Sequence, residues 1–225
     1  MLVMSNALSV PRLLARWGFF VCVVNQDALP LGAGAGPTDV SLVSARAEAL
    51  PFADCRFDVV YIHQVFPGLA PGLALPEIAR VLKPSGRLAI SHLGRDNTVP
   101  WVRRLADLMH GLDPAAMSSP SVEAVLAPAG ASKYFSDGQR RDFRHWEPVS
   151  REAMVAMVAA TPAVRILDDP TRARFLEAAA SIHDRAAGRN ELRLPYELGC
   201  WRGQVDQAEL TSPVSLDEPG VAISL

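Results

Sequence analysis

Apolar residues fall in short runs along the chain, separated by stretches where they recur every three to four positions. Leu2 to Met4 is an apolar run at the start, and Phe19-Phe-Val-Cys-Val-Val24 is a continuous one. Such runs are expected of strands covered on both faces in a parallel sheet. Phe57-Asp-Val-Val-Tyr-Ile-His63 and Arg87-Leu-Ala-Ile-Ser-His92 read as further strands, with Val40 to Val43 as a shorter one. Between them, Val10, Leu13, Leu14 and Trp17 share a helical face. Ser9 is its expected cap, Pro11 lies in its first turn and Gly18 is its stop. Leu75, Ile78, Ala79 and Leu82 mark a second helix over 73–82, ended by a turn at Lys83-Pro-Ser-Gly86. Val102, Leu105, Ala106 and Met109 mark a third over 99–110.

Later signals are weaker. The stretch 113–148 has three prolines before Gly130 and then a polar-aromatic run, and is expected to be an irregular insertion over the substrate. Helices are expected over 152–160 and 171–187, the latter capped by Thr171 or Asp169 with Gly188 at its exit. Short strands are expected at Val164 to Leu167 and, interrupted by Pro195, from Glu191 to Trp201. Residues 204–225 lack a period and are expected to form a loose tail after a domain covering 1–203. Strands alternating with helices imply right-handed crossovers and an α/β fold. The expected architecture is a Rossmann-like, doubly wound, mostly parallel seven-stranded sheet with helices on both faces.

Composition narrows the classes. With 225 residues, 49% of them apolar and 20% charged, the chain is long and apolar enough to bury a core. A net charge of −2 disfavours a dedicated nucleic-acid binder. Three cysteines at wide spacing form neither a disulfide framework nor a metal motif, so no metal is expected. No secretory signal or 20-residue apolar span is visible, so a cytoplasmic protein without membrane association is expected.

Three blocks in order carry a family resemblance. They are Ala47-Glu-Ala-Leu-Pro-Phe52 with Phe57-Asp-Val-Val60, then Glu77-Ile-Ala-Arg-Val-Leu-Lys-Pro-Ser-Gly-Arg-Leu88, then Glu191-Leu-Arg-Leu-Pro-Tyr-Glu-Leu-Gly-Cys-Trp-Arg202. Together they resemble the class I S-adenosylmethionine-dependent methyltransferases, more narrowly the type 11 group acting on small molecules. The resemblance implies S-adenosylmethionine as cofactor and a small-molecule acceptor.

By the same resemblance, the cofactor is held by Ser5, Asn6, Ala7, Asn25, Arg46, Ala47, His63 and Gln64. His63 ends a strand on the ligand-binding edge and is the candidate for acid–base work, with a backbone-bonded strand end as the plainer reading. His92, Tyr134, Phe143 and Trp146 are candidates for the substrate pocket, and Arg140, Arg141 and Arg144 for a basic patch facing an anionic acceptor or solvent. The other histidines, His110, His145 and His183, are expected at the surface.

The sequence also departs from the family. The first loop, Ser5 to Ser9, has no glycine, so Cβ atoms crowd the ligand's approach. Asn25 stands where the family has the carboxylate that holds the ribose diol, with Asp27 two residues on as a substitute. Arg46 stands where an acidic residue meets adenine. The glycine run Gly32 to Gly36 leads into a strand and so does not replace the loop. The sequence is expected to begin inside the first strand, so the helix that closes over the cofactor in the family is expected either upstream of it or absent, with an open cofactor site. Two readings stay open: a small-molecule methyltransferase, or a degenerate fold serving as an interaction module. A homodimer covering an apolar N-terminal edge is also expected.

Overall fold

The computed structural model describes residues 1–26, 40–114, 117, 120–187 and 191–211. Asp27, the glycine run and Gly188 lie outside these residues, as does most of the expected tail. Contacts group into two units: 1–90, 127–139 and 201–225 form one, and 91–126 with 140–200 form the other.

The strands are β1 (Leu2–Ser5), β2 (Val21–Asn25), β3 (Val40–Ser44), β4 (Phe57–His63), β5 (Leu82–Arg95), β6 (Phe135–Pro148) and β7 (Arg193–Val205). They form one seven-stranded sheet in the order β3-β2-β1-β4-β5-β7-β6. The pairs β1–β2, β1–β4 and β2–β3 are parallel. The helices are α1 (Ser9–Arg16), α2 (Pro71–Val81), α3 (Pro100–His110), α4 (Val122–Gly130), α5 (Arg151–Ala159), α6 (Pro162–Arg165), α7 (Asp169–Ala187) and α8 (Gln207–Thr211). This is the Rossmann-like α/β sheet expected from the alternating pattern.

In the first unit, Val3, Val21 and Val23 are buried against Leu8, Leu14 and Tyr61. The helix α2 starts at Pro71, whose missing N–H costs nothing at a first turn, and buries Ala74, Leu75, Ile78, Ala79 and Val81. Each fully buried valine, leucine or isoleucine side chain here stabilises the fold by about 1.5–3 kcal/mol. In the second unit, Trp101, Val102, Leu105 and Met109 of α3 pack with Met154 and Val158 of α5, Val164 of α6 and Ala179 of α7. Among the described residues, no helix is long and apolar enough to cross a membrane.

Several expectations are corrected. Leu8, not Ser9, caps α1, and no side chain bonds to that cap. Phe19 and Phe20 are exposed, Phe20 by 86%, because β2 begins only at Val21 after Gly18 turns with φ +91°. Instead of a turn at Lys83 to Gly86, β5 starts at Leu82 directly after α2. Val164 lies in α6, where Pro162 opens a helical turn in place of the expected strand. Asp168 caps α7: its Oδ1 accepts from the Thr171 N–H at 2.9 Å. The expected insertion at 113–148 contains α4 and the whole of β6.

Candidate functional site

Strand register sets the level of the site. Ser5 at the end of β1 lies opposite His63 at the end of β4, and Met4 lies opposite both Val24 and Ile62. At the end of β2, Asn25 faces Ser44 of β3. Parallel strands therefore finish together, and the loops that follow them surround a cavity of about 280 Å³. Of the residues expected to hold a cofactor, Ser5, Asn6, Asn25, Arg46, Ala47 and Gln64 line it. Ala7 and His63 stand beside it without lining it: Ala7 lies in the loop after Ser5, and His63 at the strand end before Gln64.

The glycine-free loop leaves this cavity open because the loop bonds to itself. The Ser5 hydroxyl donates to the Ala7 carbonyl at 3.0 Å and accepts from the Ala7 N–H at 3.2 Å. Asn25 Nδ2 donates to the Ser5 carbonyl at 3.0 Å and to Asn6 Oδ1 at 3.2 Å. The amide at the end of β2 thus holds the loop that a glycine-rich sequence would shape by backbone freedom alone. A carboxylate has no donor and could not make either bond.

Arg46 is largely exposed and pairs with Glu48 at 3.6 Å. Glu48 lines the cavity and accepts from the Ala70 N–H at 3.0 Å, which holds its carboxyl below the usual range. Sequence reasoning missed Glu48, although it lies within the Ala47-Glu-Ala-Leu-Pro-Phe52 block. Gln64 adopts φ 66°, a conformation that costs a non-glycine residue about 1–3 kcal/mol and is concentrated at functional sites.

The half-buried His63 ring contacts the Tyr61 hydroxyl at 3.4 Å through Nδ1. Burial pushes its pKa below the usual imidazole value, so the ring is neutral at neutral pH and able to accept a proton.

None of the candidates for the substrate pocket is among the residues lining this cavity. His92 is only 6% exposed, and among the described residues neither ring nitrogen has a hydrogen-bond partner. Tyr134 carries Lys133 over its ring at 5.4 Å. Phe143 is exposed, whereas Trp146 lines a separate cavity in the second unit. Arg140 is not free to meet an anion, since Glu123 and Asp142 both bond to it. His183 is mostly buried rather than at the surface, with Nε2 3.2 Å from the Val149 carbonyl.

Comparisons with known proteins bear on the same region. Residues 10–90 match the family model described as a methyltransferase domain. An uncharacterized methyltransferase of Mycobacterium tuberculosis (strain H37Rv) is 30% identical over 169 residues, covering 74% of this chain and 65% of the relative. The chain therefore spans 65% of the length of that relative. Among solved structures, the YcgJ protein of Bacillus subtilis shares the fold at 16% identity, with a TM-score of 0.58 over 91% of this chain and 90% of that one. So does a Haemonchus contortus phosphoethanolamine N-methyltransferase, crystallised with phosphomonomethylethanolamine and S-adenosylhomocysteine. It is 13% identical, with a TM-score of 0.53 over 92% of this chain and 48% of that one.

Proposed function

We propose that this chain is a class I S-adenosylmethionine-dependent methyltransferase, that it binds S-adenosylmethionine at the carboxyl ends of β1, β2 and β4, and that it methylates a small molecule. The observation that carries the reading is the convergence of Ser5, Asn6, Asn25, Arg46, Ala47 and Gln64 on one cavity. The solved Haemonchus contortus relative, with S-adenosylhomocysteine bound, supports a cavity of this fold as a place for such a cofactor.

When bound, S-adenosylmethionine supplies a methyl group on a sulfonium that is its own leaving group. The protein's part is to bind, orient and exclude water. Backbone N–H groups at the start of α1 meet a carboxylate, with Pro11 contributing none. Asn25 offers a single amide oxygen to a ribose hydroxyl, since its nitrogen holds the loop. Ala47 offers its backbone N–H to the adenine ring. Arg46 accepts no hydrogen bond, so the exocyclic amine is left to solvent or to Glu48. His63, neutral by burial, takes the acceptor's proton where one must leave. The chain's place is the cytoplasm.

Calorimetric titration with S-adenosylmethionine and, separately, S-adenosylhomocysteine tests this. Micromolar binding is expected. Asn25→Ala should weaken it about fivefold or more, the value of one lost hydrogen bond. No heat at millimolar ligand would overturn the reading and leave the fold as an interaction module.

A further inference from the structure

The second unit has chemistry that the cofactor reading does not use. Two cavities of about 200 and 420 Å³ lie within it, and Asp96, Thr98 and Glu197 line both. Their polar walls carry unused acceptors. Thr98 donates to Asp96 Oδ1 from its backbone N–H at 3.0 Å and from its hydroxyl at 2.5 Å, which pins the carboxylate and leaves Oδ2 unengaged. These bonds, with Arg144 nearby, hold the Asp96 carboxyl below the usual range, so it stays charged. The Glu197 side chain is half-buried and has no ion pair or hydrogen bond among the described residues.

The lining also includes cations: Arg95, Arg103 and Arg144. Arg103 and Arg144 are exposed, so water satisfies their donors. Asp96 Oδ2 and the Glu197 carboxylate remain as acceptors for a donating ligand. Beside these acceptors stand two aromatic rings. Trp146, 45% exposed, and Tyr196 line the smaller cavity, and Tyr196 stacks on His145 with centroids 6.4 Å apart. Carboxylates next to an accessible indole suit an ammonium on a flat apolar body, held by ion pairing and by the ring's negative face.

We propose that the second unit binds an organic amine, its ammonium between Asp96 and Glu197 and its apolar body against Trp146. An anion of the same shape meets two carboxylates and only the solvated Arg144, so it binds more weakly. The inference uses no part of the cofactor cavity.

The test is calorimetric titration of the full chain, with no nucleoside present, using tryptamine and indole-3-acetate. These probes share a ring and differ in the sign of charge. Tryptamine should bind saturably, with indole-3-acetate at least about tenfold weaker. Glu197→Gln and Trp146→Ala should each weaken tryptamine about tenfold while keeping the circular dichroism spectrum of the parent. Equal binding of the two probes, no saturation below about 10 mM tryptamine, or unchanged affinity in a folded Glu197→Gln protein would each overturn the site. If Glu197→Gln fails to fold, Asp96→Asn decides by the same criterion. A failure of S-adenosylmethionine to bind would leave this result untouched, because no cofactor enters the titration.

Discussion

Asn25 Nδ2 donates to the Ser5 backbone carbonyl at 3.0 Å, so the end of β2 fastens the loop that follows β1. The same nitrogen reaches Asn6 Oδ1 at 3.2 Å, and Ser5 closes the loop from the other side by bonding Ala7 twice. A loop built from glycines keeps its shape through unusual dihedrals. This one keeps it through side-chain hydrogen bonds from Ser5 and Asn25, and by resemblance Asn25 is expected where the family has its diol-binding carboxylate. Replacing a carboxylate by an amide there loses an acceptor and gains a donor.

Asn25→Asp separates those two roles. It restores two acceptor oxygens but sets a carboxylate against the Ser5 carbonyl and Asn6 Oδ1, with no donor between them. Stability should fall by about 1–2 kcal/mol, read as the shift of the urea midpoint at constant slope. A more stable Asn25→Asp protein would show that the amide does not hold the loop.

Arg80 is the second fastening point of the site. Its guanidinium donates to both oxygens of Glu77, to Asp54, and to the carbonyls of Leu50 and Phe52. Glu77 in turn accepts from the Leu50 N–H at 2.8 Å. Glu77 and Asp54 hold the Arg80 pKa above its usual value, so its charge is permanent. The segment 50–54 is thus tied to α2. Arg80→Ala should cost about 2–3 kcal/mol by chemical denaturation. Arg80→Lys should recover little of this, because one ammonium cannot span a planar fork of partners. Full rescue by lysine would reduce the role to charge alone.

What the sequence reveals follows from burial. β4 carries the apolar run Val59 to Ile62, and its expected bounds, Phe57 to His63, match the structure. β6 was unreadable because thirteen of its fourteen residues are exposed, which leaves no inward face to show a period of two. α4 did carry a helical signal: Val122, Val125, Leu126 and Ala129 are buried at the right spacing. Pro120 and Pro128, one before the helix and one inside it, masked that signal. At the site, the family blocks located the cavity wall, since Arg46 and Ala47 border one of them. The roles of Asn25 and Glu48 depend on partners 20 and 22 residues away, Ser5 and Ala70, and no local pattern reveals those.

His92 ties stability to pH. It is buried with both ring nitrogens unpartnered among the described residues, and burial pushes its pKa below the usual imidazole value, as it does for His63. The unfolded chain protonates these rings first, near pH 6.5. Stability is therefore lost as pH falls below about 6.5, and the loss levels off once the native rings also protonate. His92→Leu removes the unpaired polar atoms at similar size. It should gain about 1 kcal/mol at neutral pH and lose less than the parent between about pH 7.5 and about pH 5.5. Urea unfolding at both pH values measures this. An unchanged pH slope would place the titration elsewhere.

Gly199 in β7 sits where the second unit leaves no room for a side chain. A Cβ there would overlap Val122 Cγ1 and stand 3.0 Å from Leu126 Cδ1. Val122 is β-branched and buried, so it has little rotamer freedom with which to yield. Gly199→Ala should cost about 2–3 kcal/mol through overpacking. Val122→Ala alone should also destabilise, by leaving a void. Combined, the two changes should cost clearly less than their sum, because the removed methyl makes space for the added one. Gly72 supplies the contrast: a Cβ built there meets nothing within 4 Å, and the residue lies in the first turn of α2. Gly72→Ala should be neutral or stabilise by up to about 1 kcal/mol. Thermal or urea melts of the parent and these four variants measure the set, and strict additivity of the Gly199 and Val122 changes would refute the direct contact.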